Sequence, residues 1–288
     1  IATDTLTRFV DYDIDYFAGT LFFKRPVPSR DQDLNPLIIV AEYESRQASE
    51  SNVVAGGRAA VRMLDEQLEI GVSAVREENA VDENNLLGVD LTWQLNPQTL
   101  LRAEYADTER DDLSAQTSGY AYKVELEHRS GDVDTRLFHG SSDSGFGLGQ
   151  QAASQIGVES SGAELRWNFA EQWTVQSLVG LQENLDTGTE RQIAESELRF
   201  ENERNGAFVG LAYVGDEAED GTERESSLAR AGVSRKFFGN KLTLRLATEQ
   251  ALGDQDESLD YPSRNVLGLD WNLGNATLFA EHEIANGE

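Results

Sequence analysis

The sequence predicts an all-β fold: an antiparallel, up-and-down transmembrane β-barrel of about 14 strands, with a small β unit ahead of it. Three observations carry this expectation. Runs with apolar and polar residues in strict alternation recur along the chain. Short turns join these runs in pairs, and longer acidic stretches separate the pairs. All four tryptophans lie beside the short turns.

Residues 1–48 form the expected N-terminal unit and residues 49–288 the barrel. In the first part, strands are expected over Phe9 to Tyr16, Thr20 to Arg25 and Leu37 to Tyr43, with Ala18-Gly19 as the first turn. Pro26, Pro28 and Pro36 crowd the second connection. The continuous apolar run Ile38, Ile39 and Val40 suggests burial on both sides. Such a unit suits a cap, a plug or the entry strands of a barrel.

The hairpins then follow in order. Gly57 to Leu64 turns at Asp65-Glu66 into Gln67 to Arg76. In LLGVDLTWQLNPQTLLRAEYADTERDD (86–112), Leu87, Val89, Leu91, Trp93 and Leu95 share one face, and Gly88, Asp90, Thr92 and Gln94 the other. Asn96-Pro97 turns this run into a second one, with Leu101, Ala103 and Tyr105 opposed to Arg102 and Glu104. Tyr120 to Arg129 turns at Ser130-Gly131-Asp132 into Val133 to Gly140, and Ala163 to Ala170 at Glu171-Gln172 into Trp173 to Asn184. Ile193 to Arg204 turns at Asn205-Gly206 into Ala207 to Val214, since Asn-Gly is a strong hairpin signal. Leu228 to Phe238 turns at Gly239-Asn240 into Lys241 to Leu252, and Val266 to Leu273 at Gly274-Asn275 into Ala276 to Ile284.

Between hairpins the expected links are long and acidic: 77–85, 107–119, 141–162, 215–225 and 253–263. Short turns at one end and long loops at the other is the layout of an outer-membrane barrel. A soluble sandwich has Greek-key crossings instead. It would also scatter its aromatic residues through a core, whereas Trp93, Trp167, Trp173 and Trp271 gather at one level as an expected aromatic girdle. Tyr105, Tyr120, Tyr122 and Tyr213 lie nearer the other end.

Alternation assigns the other face to a lumen. Its expected lining is Arg58, Arg62, Glu69, Arg102, Glu104, Lys123, Glu125, Arg136, Arg166, Arg199 and Arg245, with Glu127, Glu164, Glu197, Arg230 and Glu249 beside them. Both signs occur on neighbouring strands, so cross-strand ion pairs are available. Either these pairs satisfy one another across a wall, or they line a conduit that sorts solutes by field.

Composition narrows the function classes. The net charge of −28, from 52 acids against 24 bases, argues against nucleic acid as a partner. The absence of cysteine excludes disulfides and thiolate metal sites. No run approaches the roughly 18 apolar residues of a membrane helix. No signal segment opens the chain at Ile1, and the last residues lead into a further loop rather than a terminal aromatic strand. The sequence reads as a piece of something longer.

Catalytic and metal motifs do not assemble. FHGSSDSG (138–145) sets His139 near serines and an aspartate, but no G-x-S-x-G elbow accompanies it, and register puts His139 away from the lumen. His128 and His282 are the other histidines. DQDESLD places Asp254, Asp256, Ser258 and Asp260 with EF-hand spacing, yet Leu259 stands where glycine is needed and Asn265 where glutamate belongs. GFGLGQ (145–150) precedes no helix, so it makes no phosphate loop. No cofactor and no enzymatic activity are expected, and divalent cations would meet acidic loops only loosely.

The wording YDIDYFAGTLFFKRPVPSRDQDLNPLIIVAEYE, followed by GGRAAVRMLDEQLEIGVSAVREE, resembles the barrel-anchor region of very large Gram-negative outer-membrane surface proteins that carry repeated β-sandwich modules. The resemblance covers residues 7–78. It implies a location in the cell outer membrane, a lipid bilayer and other surface or envelope proteins as partners, and a role as membrane anchor or structural component of a surface assembly. The alternative is a porin-like passive channel, and a rim-located hydrolase stands third.

Overall fold

The computed structural model describes residues 12–15, 20–23, 39, 53–78, 82–112, 116–147, 157–252, 263–274 and 276–286. The chain divides into two compact units, Ile1–Gln47 and Ala48–Glu288. In the first, β1 (Tyr12–Asp15) and β2 (Thr20–Phe23) pair antiparallel, with Tyr12 opposite Phe23. Of the third strand expected there, only Ile39 is among the described residues. It lies outside any strand and is 51% exposed, contrary to the burial its apolar neighbours suggested.

The second unit is one antiparallel sheet of 14 strands in sequence order. Its strands are β3 (Val53–Met63), β4 (Leu68–Glu78), β5 (Asp82–Asn96), β6 (Thr99–Asp112), β7 (Gln116–Arg129), β8 (Val133–Ser142) and β9 (Val158–Ala170). They continue as β10 (Trp173–Asn184), β11 (Thr189–Glu201), β12 (Asn205–Glu217), β13 (Glu223–Phe237), β14 (Leu242–Leu252), β15 (Ser263–Asn272) and β16 (Thr277–Asn286). Each strand pairs with its sequence neighbours, so the sheet is an uninterrupted meander. β3 and β16 are its two edges, and both are exposed along their described side chains.

The alternation sets the register. Trp93 faces Leu68 on β4 and Leu101 on β6, and Asp90 faces Gly71 and Glu104. Apolar residues meet apolar neighbours on one face, and charged residues meet charged or small ones on the other, because a one-residue slip would exchange the faces.

Two features of the connections differ from the sequence expectation. First, most of the acidic links 77–85 and 107–119 is strand. Only three residues separate β4 from β5, and the segment 107–112 and Gln116–Gly119 extend β6 and β7 past the apolar belt. β5, with 15 residues, reaches about 50 Å, or about 38 Å at a tilt near 40°, well beyond an apolar band of ~25 Å. Ladder hydrogen bonds keep the acidic tips paired in water, so polarity there marks solvent, not a loop. Second, Asn205-Gly206 is not a turn but the start of β12. The turn falls two residues earlier, at Glu203-Arg204, because the Asn202 carboxamide oxygen accepts hydrogen bonds from the Arg204 and Asn205 amides at 3.0 and 2.8 Å. That side chain supplies the turn without a left-handed glycine.

The β3–β4 turn is strained. Leu64, Asp65 and Glu66 all have positive φ, at 54°, 54° and 68°. Residues with Cβ atoms avoid this region, and Asn and Gly accept it. The double substitution Asp65→Asn with Glu66→Gly should therefore raise stability by about 1 kcal/mol. A higher denaturant midpoint with an unchanged slope would show it, and an unchanged or lower midpoint would refute the strain.

Candidate functional site

Burial is inverted relative to a soluble protein. Among the described residues, the buried hydrophobic ones are Ala212, Val214 and Leu228. The buried polar ones include Glu77, Asn84, Thr108, Glu125, Glu164 and Glu197. Large apolar side chains on the opposite face are exposed: Leu87, Val89, Val179, Leu181, Val209, Leu211, Val233, Leu246 and Leu267 are each about half exposed or more. Water-exposed sheets do the reverse.

The charged face is a chain of ion pairs, placed there by register. On β3, Arg58 contacts Asp90 at 2.5 Å and Glu69 at 2.8 Å, and Arg62 contacts the second oxygen of Glu69 at 2.7 Å. Across β6 to β9, Arg102 meets Glu125 at 3.1 Å and Glu127 at 3.2 Å. Arg136 then bridges Glu125 at 2.6 Å and Glu164 at 2.7 Å. Arg136, Glu125 and Glu164 have side-chain exposures of only 14%, 7% and 9%. Further round, Arg199 contacts Glu197 at 2.6 Å, and Arg230 spans Glu197 at 3.3 Å and Glu195 at 3.4 Å. Arg245 pairs with Asp270, and Arg264 with Glu249.

Every residue expected to line the lumen lies on this one face. Their partners are partly different from those that simple opposition suggests. Glu104 is opposite Lys123 in the register, but the Lys123 ammonium turns to Glu125 at 3.5 Å. Arg166 sits 3.9 Å from Asp134. Glu195, Arg264 and Asp270 belong to the network although the sequence reading did not select them, and so does Asp90, which that reading set on the polar face but not in the lining. Alternation with the apolar Leu269 and Trp271 is the signal that marks Asp270.

Phe138 and Phe208 also lie on the charged face. Phe138 packs over Gly162, where a Cβ would come within 2.6 Å of the ring, and the Arg136 guanidinium stacks 4.4 Å from the Phe138 centroid. A glycine opposite the ring makes room for it, and the cation covers it.

The tryptophans lie on the apolar face, 37% exposed at Trp93, 47% at Trp167, 39% at Trp173 and 43% at Trp271. Trp167, Phe169, Trp173 and Phe200 form a continuous cluster, with centroid separations of 5.6, 6.4 and 5.0 Å. Trp93 and Trp271 stand on other hairpins beside their own short turns. Between β6 and β7, Tyr105 and Tyr120 stack with ring centroids 6.2 Å apart.

Two of the three histidines make local bonds on the apolar face. His139 Nε2 is 2.9 Å from the Tyr122 hydroxyl, and His128 Nδ1 is 2.9 Å from the Thr99 hydroxyl. Among the described residues, no cluster of His, Asp or Glu has the geometry to hold a metal ion.

No protein-family model and no curated protein sequence matches the chain. Among solved structures it is similar to the P pilus usher (PapC) translocation pore, with a TM-score of 0.50 and 15% identity, over 82% of this chain and 55% of that one. The fold is that of a transmembrane β-barrel. CdiB from Acinetobacter baumannii is also similar, at a TM-score of 0.35 and 11% identity, over 84% of this chain and 55% of that one. The chain spans about half the length of each of these proteins.

Proposed function

We propose that this chain is an outer-membrane β-barrel whose role is to anchor, or form a structural part of, a larger cell-surface assembly. The inversion of burial carries the reading: a belt of half-exposed aliphatic side chains on one face, and on the other a set of charges that pair with one another. The apolar face suits acyl chains, and a closed ladder of strands is what lipid demands of a backbone. In lipid the edges β3 and β16 must each meet a further strand, because water is not there to satisfy their amides. Trp93, Trp167, Trp173 and Trp271 form the girdle at the short-turn interface in this reading, and the acidic strand tips stand in water at the other end, where divalent cations gather loosely.

The anchor is favoured over a conduit by the inner wall. Arg58, Arg102, Arg136 and Arg230 each contact two carboxylates, so these side chains brace neighbouring strands instead of standing free to meet solutes. The passive-channel reading keeps one observation: the sheet has 14 strands, and a barrel closed from that many has room for water inside. Neither reading gives the histidines a catalytic task, since the described contacts of His139 and His128 are with a tyrosine and a threonine hydroxyl.

Two measurements test the proposal. Brominated acyl chains should strongly quench the tryptophan emission of the protein in vesicles, and emission equal to that in unbrominated lipid would end the membrane reading. In planar bilayers the anchor predicts silence or small, rare current steps. Large, stable single-channel steps would move the assignment to the passive channel.

A further inference from the structure

The first residues of the β8–β9 connection, Asp143–Gly147, stay against the sheet. Asp143 extends the ladder by one step, its amide donating to the Tyr120 carbonyl at 2.9 Å. Its carboxylate then accepts the Tyr120 amide at 3.2 Å, which ends the pairing. The chain turns at once, with the Phe146 amide donating to the Asp143 carbonyl at 3.0 Å. The Gly147 amide next donates to the Thr108 hydroxyl at 3.0 Å, and that hydroxyl donates to the Gly119 carbonyl at 3.2 Å.

Thr108 and Gly119 are paired across β6 and β7, on the face that carries Arg102 and Glu125. The segment Asp143–Gly147 thus lies against the charged face. Thr108 is 1% exposed beneath it. The approach is too close for side chains. A Cβ on Gly119 would fall on the Phe146 nitrogen and within 2.5 Å of the Gly145 carbonyl carbon, and one on Gly145 within 2.5 Å of the Ser118 carbonyl oxygen. Gly157, with φ at +65°, accepts the Leu185 amide at 2.7 Å, and a Cβ there would touch Ser144 at 3.4 Å.

We propose that Asp143–Gly147 is an inward strap, fixed to the inner wall near the mouth of the barrel, that narrows the passage available to solutes. The strap rests on the barrel reading above. A surface loop has no need of glycine at Gly119 on the strand beneath it, nor of a threonine spent wholly on holding it down. Both are explained if the segment is held inside, where it takes up cross-section beside the ion-paired wall. The strap also accounts for an interior that is wide by strand number and yet serves an anchor: part of the opening is filled by the chain itself.

The experiment is liposome swelling with sugars of graded size, on protein whose insertion is confirmed by heat-modifiable migration. Gly119→Val forces the strap off by bulk. Asp143→Ala with Thr108→Val releases it by removing its hydrogen bonds, and covers the case in which the first variant does not fold. Each should admit larger sugars than the unaltered chain and raise the swelling rate at least threefold. Equal swelling in the unaltered and released proteins overturns the strap. A chain that fails to insert contradicts the barrel reading instead.

Discussion

Arginine in place of Leu246 or Val179 is expected to destabilise the inserted protein by about 2–4 kcal/mol, the cost of a cation near the bilayer midplane on a lipid-facing strand. Both residues are conspicuous in the structure for being exposed, at 55% and 51%. In water such positions tolerate arginine within about 0.5 kcal/mol, so the sign and size of the effect separate lipid from solvent. Depth can be read along the strands. Leu246 lies four residues from Leu242, which pairs with Trp271, and this corresponds to about 10 Å above the aromatic level at ~3.3 Å per residue and a tilt near 40°. Val179 is six residues beyond Trp173, or about 15 Å. Leu273, 51% exposed beside the last short turn, is the control: arginine there should cost no more than about 1 kcal/mol. Reversible urea unfolding in vesicles would measure all three. Equal, small effects at the three positions would place this face in water.

Much of this was legible because a period of two allows few alternatives. β10 begins at Trp173 and ends at Asn184, as the alternation and the Glu171-Gln172 turn require. The face of each charged residue follows from the same count, which is why Arg58 and Arg245, near opposite edges of the sheet, fall on one side. Partner choice was not legible. Lys123 prefers Glu125 on its own strand to Glu104 across from it, and long side chains settle such choices by reach and by competing arginines. Strand ends were hidden for a different reason. Acid-rich tips such as 107–112 look like loops by composition, but hydrogen bonding to β7 does not depend on polarity. The strap was beyond sequence reasoning altogether. GFG suggests flexibility in isolation, and only the approach of Gly145 to the Ser118 carbonyl shows why glycine is needed.

Arg136→Met is expected to cost about 3–5 kcal/mol, because it takes from two buried carboxylates the guanidinium they share. Arg136 is the link that Glu125 and Glu164 share, and its guanidinium reaches both at 2.6 and 2.7 Å. Methionine keeps the volume and the contact with Phe138 but none of the donors. Arg136→Lys should recover only part of the loss, since one ammonium cannot present the two edges of a guanidinium to carboxylates on separate strands. Adding Glu125→Gln and Glu164→Gln to Arg136→Met should recover most of it. What is costly is burying carboxylate charge with less compensation and not the missing pair itself, so neutral amides reduce the penalty. The size of the single-variant effect also bears on function. If water fills the interior, the pair is solvated and its loss costs under about 1 kcal/mol, as at exposed surfaces. A loss of several kcal/mol means that Arg136 and its carboxylates form a dry, packed wall, which braces strands for an anchor and leaves little there for a solute to meet.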